Sequence, residues 1–119
     1  KKLNFDWVKY PYRYDIIKKI IEKKKYSSYL EIGCFDDETF NKINIDKKVG
    51  VDPNSGGNVR LTSDNFFKIN KDTFDIIFID GLHTFEQVKK DITNSLNILN
   101  KNGVTRARGR RWQSMWWSL

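Results

Sequence analysis

Apolar and polar positions along the chain predict alternating helices and strands. Residues 12–25 place four isoleucines at helical spacing with lysines on the opposite side, a pattern typical of an amphipathic helix. Residues 74–80 (FDIIFID) are apolar without alternation, which indicates a strand buried on both faces. A second helix is predicted over residues 84–100, where it starts with a capping-box pattern (TFEQ) and should end near Gly103.

Three shorter segments complete the predicted sheet. Residues 29–33 (YLEIG) form the expected first strand, residues 47–52 (KKVGVD) the second and residues 58–61 (NVRL) the third, with FDIIFID as the fourth. A short helix is expected near residues 38–43. Strands that alternate with connections of this length favour an α/β fold: an open, twisted, mostly parallel sheet with flanking helices and right-handed crossovers. A chain of 119 residues is long enough for one such domain.

Acidic side chains stand where the predicted strands end. They are Glu31 in the first strand, Asp52 after the second, Asp64 after the third and Asp80 at the end of the fourth. Since ligands of open α/β sheets bind beyond the carboxyl ends of the strands, these four carboxylates should converge. Convergent carboxylates repel one another unless a cationic or hydroxyl-rich ligand lies between them, which leaves a metal, a ribose with an amine, or both.

The loop after the first strand narrows the choice of ligand. It carries three acids, Asp36, Asp37 and Glu38, where a pyrophosphate would be repelled. An acid at the end of the second strand suits the hydroxyls of a ribose. The sequence therefore predicts an adenosine that has no phosphate and carries positive charge.

These motifs resemble the class I S-adenosylmethionine-dependent methyltransferases, and in particular their small O-methyltransferase-like branch. The resemblance spans roughly residues 13–104 and rests on EIG, then VGVDP, then SD, then FDIIFID, with IFIDGLHTFEQV as its most specific stretch. It implies a Rossmann-like fold and S-adenosylmethionine as the cofactor. The sulfonium, ammonium and ribose diol of that cofactor agree with an acidic site.

The resemblance also implies a role for most residues at the strand ends. Glu31 and Gly33 would turn the chain beside the methionine part of the cofactor, and Asp52 would accept hydrogen bonds from the ribose hydroxyls. Ser63 and Asp64 would lie near the adenine amino group.

Two further residues are the candidates for the catalytic end of the site. Asp80 would line the methionine and substrate side, and His83 could remove a proton from the acceptor. A capping or packing role for His83 is an equally open interpretation. The resemblance implies methyl transfer to a small-molecule or sugar acceptor, and it leaves open whether a divalent metal takes part.

The sequence departs from the family pattern in two places. Relatives often have glycine at positions matching Phe35, Asp37 or Glu38, so the cofactor could be held differently here. After Val104 the family continues with further strands, whereas residues 105–119 carry four arginines, three tryptophans and no acid. We expect a partial methyltransferase domain over residues 1–104, with the later strands missing because the end of the chain is truncated or out of frame.

The expected incompleteness has consequences for activity and assembly. An acceptor pocket without its later strands puts the catalytic activity of this chain in doubt. An open sheet edge beside the fourth strand would favour a homodimer. The alternative function is a non-enzymatic binding module whose basic, Trp/Arg-rich tail, outside the core fold, contacts nucleic acid or a partner. A nucleotide-dependent oxidoreductase is disfavoured because no G-x-G-x-x-G motif is present.

Composition adds limits on partners and location. The net charge is +7, but without the four arginines of residues 105–119 there remain 18 bases against 15 acids. We therefore expect a small-molecule partner rather than nucleic acid. Because the sequence contains no run of 18 apolar residues, we do not expect a membrane partner. Cys34 is the single cysteine, which excludes a disulfide within the chain and fits a reducing, cytoplasmic location.

Overall fold

A mixed five-stranded sheet organises the part of the chain that the computed structural model describes, which is residues 12–80, 84–108 and 115–118. Three α-helices and one 3₁₀ turn accompany the strands. In chain order the elements are α1 (Arg13–Lys24), β1 (Ser28–Ile32), the 3₁₀ turn (Phe40–Lys42), β2 (Lys47–Val51), α2 (Ser63–Ile69), β3 (Phe74–Ile79), α3 (Phe85–Asn97), β4 (Leu99–Ala107) and β5 (Met115–Trp117).

The strand order across the sheet is β2-β1-β3-β4-β5. The first four strands pair in parallel, and β5 is antiparallel to β4. This confirms the predicted α/β class with an open, mostly parallel, Rossmann-like sheet. Because the chain passes from β1 to β2 on one side and then returns to place β3 on the other side of β1, a crevice forms beyond the carboxyl ends of β1 and β3.

Helices cover both faces of the sheet, which is why β1 and β3 lack polar alternation. On one face, three isoleucines of α1 (Ile16, Ile17 and Ile20) pack with side chains of β1 and β3. On the other face, Phe66 of α2 and the apolar side of α3 cover a second cluster. The predicted amphipathic helix over residues 12–25 is therefore confirmed as α1.

The expectation of a third strand over residues 58–61 is wrong. Only Val59 pairs there, in a single parallel bridge with Val51. Gly56 and Gly57 adopt positive φ just before it, so the chain turns instead of extending. The next segment, predicted without regular structure, forms α2, and Thr62 caps that helix by accepting a hydrogen bond from the Asn65 amide (3.2 Å).

The predicted fourth strand, FDIIFID, is β3, and a further parallel strand, β4, follows α3 although the later strands were expected to be missing. Helix α3 ends at Asn97, and Leu99 belongs to β4 although it continues the helical spacing of apolar residues. Gly103 is not a helix stop. It lies where the pairing between β3 and β4 shifts register.

The composition change at Val104 does not coincide with a structural boundary. Strand β4 continues to Ala107, and Thr105 is fully buried, with its hydroxyl donating to the Ile77 carbonyl oxygen (3.1 Å). The expected division at residue 104 therefore falls inside a strand. The edge expected to be open beside β3 is covered by β4, which in turn pairs with β5 over residues 105–107.

In the described residues, none of the helices is both long and apolar enough to cross a membrane.

Replacing Gly103 by alanine should destabilise the fold. A Cβ atom at this position would lie 2.6 Å from the Asp75 carbonyl oxygen and 2.8 Å from the Asn100 carbonyl oxygen, and backbone atoms cannot rotate away. We expect the free energy of unfolding to fall by about 1–3 kcal/mol, measured by urea denaturation. The exposed Lys101→Ala in the same strand is the control, with a change below about 0.5 kcal/mol. Equal losses in both variants would contradict this account.

Candidate functional site

A cleft of about 870 Å³ opens at the carboxyl edge of the parallel strands. Its volume lies in the range of small-molecule sites. Each of the six predicted cofactor-binding residues lines it: Glu31, Gly33, Asp52, Ser63, Asp64 and Asp80. His83, the other predicted catalytic residue, lies outside the described residues. The cleft also takes in residues that the sequence did not single out, among them Arg13, Gln87 and Arg108.

Gly33 turns the chain out of the sheet at the end of β1. Its φ is 87°, in the left-handed region that favours glycine, and its amide donates to the Val51 carbonyl oxygen (2.7 Å). This bond continues the β1–β2 pairing by one residue before the chain leaves the sheet. A glycine here lets the backbone form the floor of the cleft.

The loop after Gly33 keeps glycine-like backbone conformations without glycine. Phe35 has φ 53° and Asp37 has φ 62°, at positions where the family resemblance expects glycine. The Asp37 carboxylate offsets the cost of this conformation, because its Oδ1 accepts a hydrogen bond from the Gly57 amide (2.7 Å). Phe35 remains 71% exposed at the mouth of the cleft. Both residues thus adopt the left-handed conformation that favours glycine, and Asp37 adds a side-chain contact to the loop after β2.

Asp52 is the most firmly held carboxylate of the site. Its Oδ1 accepts hydrogen bonds from the amides of Asn54 (2.8 Å) and Ser55 (3.0 Å), and its Oδ2 accepts one from the Phe35 amide (3.0 Å). Burial works to raise the pKa of Asp52, but these backbone donors and the nearby Arg60 lower it below its ordinary value. A carboxylate has about four acceptor positions, so three bonds leave room for a ligand hydroxyl.

Glu31 is the opposite case, a buried acid in β1 that favours its neutral form. It is 1% exposed, and the Tyr29 hydroxyl donates to its Oε1 (2.5 Å). Burial raises the pKa of Glu31 to about 8; the Tyr29 hydrogen bond opposes the rise, and the charges of Asp80 and Asp37 add to it. At neutral pH the group is therefore mostly protonated and contributes little negative charge to the cleft.

Cys34 is a buried thiol, as predicted. Burial raises its pKa well above the ordinary value, and the charges of Glu31 and Asp37 act in the same direction. Since the thiolate is the reactive form, Cys34 has no features of a nucleophile.

Gln87 links the two helices that border the far side of the cleft. Its Nε2 lies within hydrogen-bond distance of Ser63 Oγ (3.2 Å), Asp64 Oδ1 (3.0 Å) and Asp91 Oδ1 (3.0 Å). An amide nitrogen has two hydrogens, so it shares them among three acceptors. The capping-box pattern placed Gln87 correctly at the start of α3, where its backbone amide donates to Thr84 Oγ1 (3.2 Å). Its side chain instead makes the contacts to Ser63, Asp64 and Asp91 at the cleft.

Asp80 lies between two arginines at the other end of the cleft. Arg13 Nη1 contacts its Oδ2 (2.9 Å), and Arg108 Nη1 contacts its Oδ1 (3.2 Å). The Asp80 amide donates to the Ile32 carbonyl oxygen (2.8 Å), which fixes the residue between the ends of β3 and β1. The sequence interpretation missed both arginines, because one belongs to a lysine-rich helix and the other to the segment expected outside the core.

The carboxylate acceptors in the cleft fit a cationic adenosine better than a phosphate-bearing one. Asp36, Glu38, Asp52 and Asp64 all line the cleft. Asp52 is held ionised with an acceptor position free for a hydroxyl, as a ribose requires. Across the described ranges of the chain, no group of three or more His, Cys, Asp or Glu side chains is placed to hold a metal ion.

Comparisons with known proteins agree with this geometry. A family model described as "Methyltransferase domain" matches residues 20–106. The crystal structure of "a putative caffeoyl-CoA O-methyltransferase from Staphylococcus aureus" superimposes with a TM-score of 0.62 at 21% sequence identity. The superposition covers 89% of this chain and 59% of that one, so the chain spans little more than half the length of that protein. No curated protein sequence matches the chain.

Glu31 should make the stability of the fold depend on pH. The unfolded chain releases the Glu31 proton near pH 4.5, whereas the folded chain holds it up to about pH 8. The cost of the buried charge is thus absent below pH 4.5 and grows as the pH rises to 8. We expect this group to lower the free energy of unfolding by an amount on the order of 1–4 kcal/mol between those limits.

Urea denaturation at pH 5, 6, 7 and 8 measures this effect. Glu31→Gln keeps an acceptor for the Tyr29 hydroxyl but cannot ionise, so its stability should decline less steeply than that of the wild type. Glu22→Gln, on the exposed side of α1, should follow the wild-type curve. Parallel curves for the wild type and Glu31→Gln would show that Glu31 titrates normally.

Proposed function

Because the chain belongs to the methyltransferase-domain family, we propose that its cleft binds S-adenosylmethionine and that the protein transfers the methyl group to a small-molecule or sugar acceptor. The observation that carries the proposal is that two features lie at the neighbouring ends of β1 and β2. Gly33 has a left-handed backbone conformation at the end of β1, and Asp52 is a buried, ionised carboxylate at the end of β2. The fold supports it, since cofactors of doubly covered parallel sheets bind at this edge. The nature of the acceptor rests on the family resemblance.

In this proposal each residue of the cleft contacts a different part of the cofactor. Gly33 allows close approach of the backbone, and Asp52 accepts a hydrogen bond from a ribose hydroxyl. Ser63 and Asp64 at the start of α2 receive the adenine amino group, with Gln87 holding both side chains in place. When bound, the cofactor supplies an electrophilic methyl group on a positively charged sulfur.

The charges around the cleft favour a positively charged ligand. Asp36, Glu38, Asp52 and Asp64 contribute four carboxyl groups to its lining. Ionised carboxylates that line a cleft attract the sulfonium and the ammonium of a ligand bound in it, and the attraction is stronger where the site is partly shielded from water.

The main task of the protein in the chemical step is to align the methyl group with the acceptor. Direct displacement needs no protein nucleophile, which agrees with the inert Cys34. His83 stays the proposed base for an acceptor that must lose a proton. Asp80 is a weaker candidate for that role than the sequence suggested, because both of its oxygens contact arginines. We propose that Asp80 instead positions Arg13 and Arg108 at the acceptor end.

Replacing Asp52 should abolish or strongly weaken cofactor binding. Isothermal titration calorimetry with S-adenosylmethionine and with its demethylated product should give dissociation constants in the micromolar to millimolar range, roughly 4–8 kcal/mol of binding free energy. Asp52→Asn removes the charge and offers the ribose a poorer acceptor, so we expect at least about a tenfold loss for both compounds.

The control for this experiment is Asp72→Asn, which removes the same charge from an exposed loop at the opposite edge of the sheet. It should bind both compounds as the wild type does. Thermal unfolding of each variant verifies that it is folded. If the folded wild-type chain binds neither compound, the cofactor proposal is overturned.

A further inference from the structure

Phe35 combines three features that the fold does not require of one residue. Its backbone is left-handed, with φ 53°, which is rare for a bulky side chain. The residue is 71% exposed. It also has the one aromatic side chain among the described residues that line the cleft. Strained residues cluster at binding and catalytic sites, so this coincidence points to a role in the cleft.

The loop after β2 fixes the backbone of Phe35. The Phe35 amide donates to Asp52 Oδ2 (3.0 Å), and the Phe35 carbonyl oxygen accepts a hydrogen bond from Ser55 Oγ (3.0 Å). Gly56 packs so closely that a Cβ atom there would lie 2.6 Å from the same carbonyl oxygen. The left-handed conformation is therefore held in place, and the Cα atom of Phe35 stays beside Asp52.

These contacts explain the backbone of Phe35 but not its ring. Each hydrogen bond uses the amide or the carbonyl group, which glycine would supply equally and without the cost of a left-handed side chain. The ring also belongs to neither of the two apolar clusters in the described part of the chain. The folded protein by itself therefore gains little from a phenyl group at this position.

We propose that the ring of Phe35 stacks on the nucleobase of a nucleoside bound at Asp52. The identity of that nucleoside, adenosine, rests on the proposed function. A ribose whose hydroxyl bonds to Asp52 holds its base one glycosidic bond away, and the Phe35 amide bonds to the same carboxylate. The ring is therefore within reach of the base. Aromatic side chains stack on bases because both have a π face, and the contact needs no further hydrogen bond.

The ring suits the base better than the cationic part of the cofactor. Carboxyl groups line the cleft for the sulfonium and the ammonium, whereas the base presents a flat apolar face that carboxylates cannot cover. The aliphatic side chains that end β1 and β2, Ile32 and Val51, are each 1% exposed and offer a ligand almost no surface. Phe35 keeps most of its surface free, so covering it with a base removes apolar area from water.

Isothermal titration calorimetry of the full chain with S-adenosylmethionine and with its demethylated product measures the contribution of the ring. Phe35→Ala removes the ring and should weaken the binding of both compounds by about fivefold to a hundredfold, because both carry the same base. Phe35→Tyr keeps a ring and should bind as the wild type does. The control is Ile69→Ala, which removes an exposed apolar side chain at the end of α2 away from Ser63 and should leave both affinities unchanged.

Phe35→Gly separates the proposed contact from a role in supporting the loop. Glycine adopts φ 53° without strain, so the melting temperature should rise by roughly 2–6 °C while both affinities fall as in Phe35→Ala. A joint loss of stability and affinity in Phe35→Gly would show a supporting role instead and overturn the contact. Unchanged affinities in folded Phe35→Ala, or a loss confined to the sulfonium compound, would also overturn it.

NMR spectra of the complex with the demethylated product locate the ring directly. We expect nuclear Overhauser effects between the Phe35 ring protons and H2 or H8 of the base, with upfield shifts of those base protons from the stacked ring. Their absence in a saturated complex overturns the contact and leaves the proposed function intact. A folded wild-type chain that binds neither compound overturns the proposed function, and this inference with it.

Discussion

The parallel pairing of β1 between β2 and β3 is the constraint on which the rest of the structure depends. Register pairs Ile32 of β1 with Val51 on one side and with Ile79 on the other, so the three strands end at the same level. Every residue that follows these ends is therefore brought to one edge of the sheet. The pairing is stable because helices cover both faces and bury the apolar side chains of β1 and β3.

The loops beyond these strands hold each other through hydrogen bonds. The Phe35 amide and the Asp37 carboxylate bind the loop after β2, at Asp52 and Gly57 respectively. The left-handed conformation of Phe35 costs about 1–2 kcal/mol, which these contacts offset. The chain thus replaces the flexibility of glycine with a fixed hydrogen-bonded loop. One consequence is that Asp52 is ionised and oriented before any ligand arrives, as catalytic and binding sites often require.

The sequence by itself determined the elements whose signals are local. A continuous apolar run identified β3, the YLEIG segment was predicted as β1, and helical spacing identified α1 and α3. The acids near the predicted strand ends identified Glu31, Asp52, Asp64 and Asp80 as residues of one cleft. The family resemblance supplied the same fold and the expected cofactor. These features depend on nearest neighbours along the chain, so a pattern is enough to reveal them.

The tertiary structure alone decided the rest. Residues 58–61 have the composition of a strand but follow a glycine turn, while residues 99–107 read as a helix end and a basic tail, yet pair with β3 because that buried strand requires a neighbour on its second edge. Contacts between residues distant in sequence, such as those of Arg13 and Arg108 with Asp80, leave no local pattern. The protonation of Glu31 likewise depends on burial, which is a property of the folded chain.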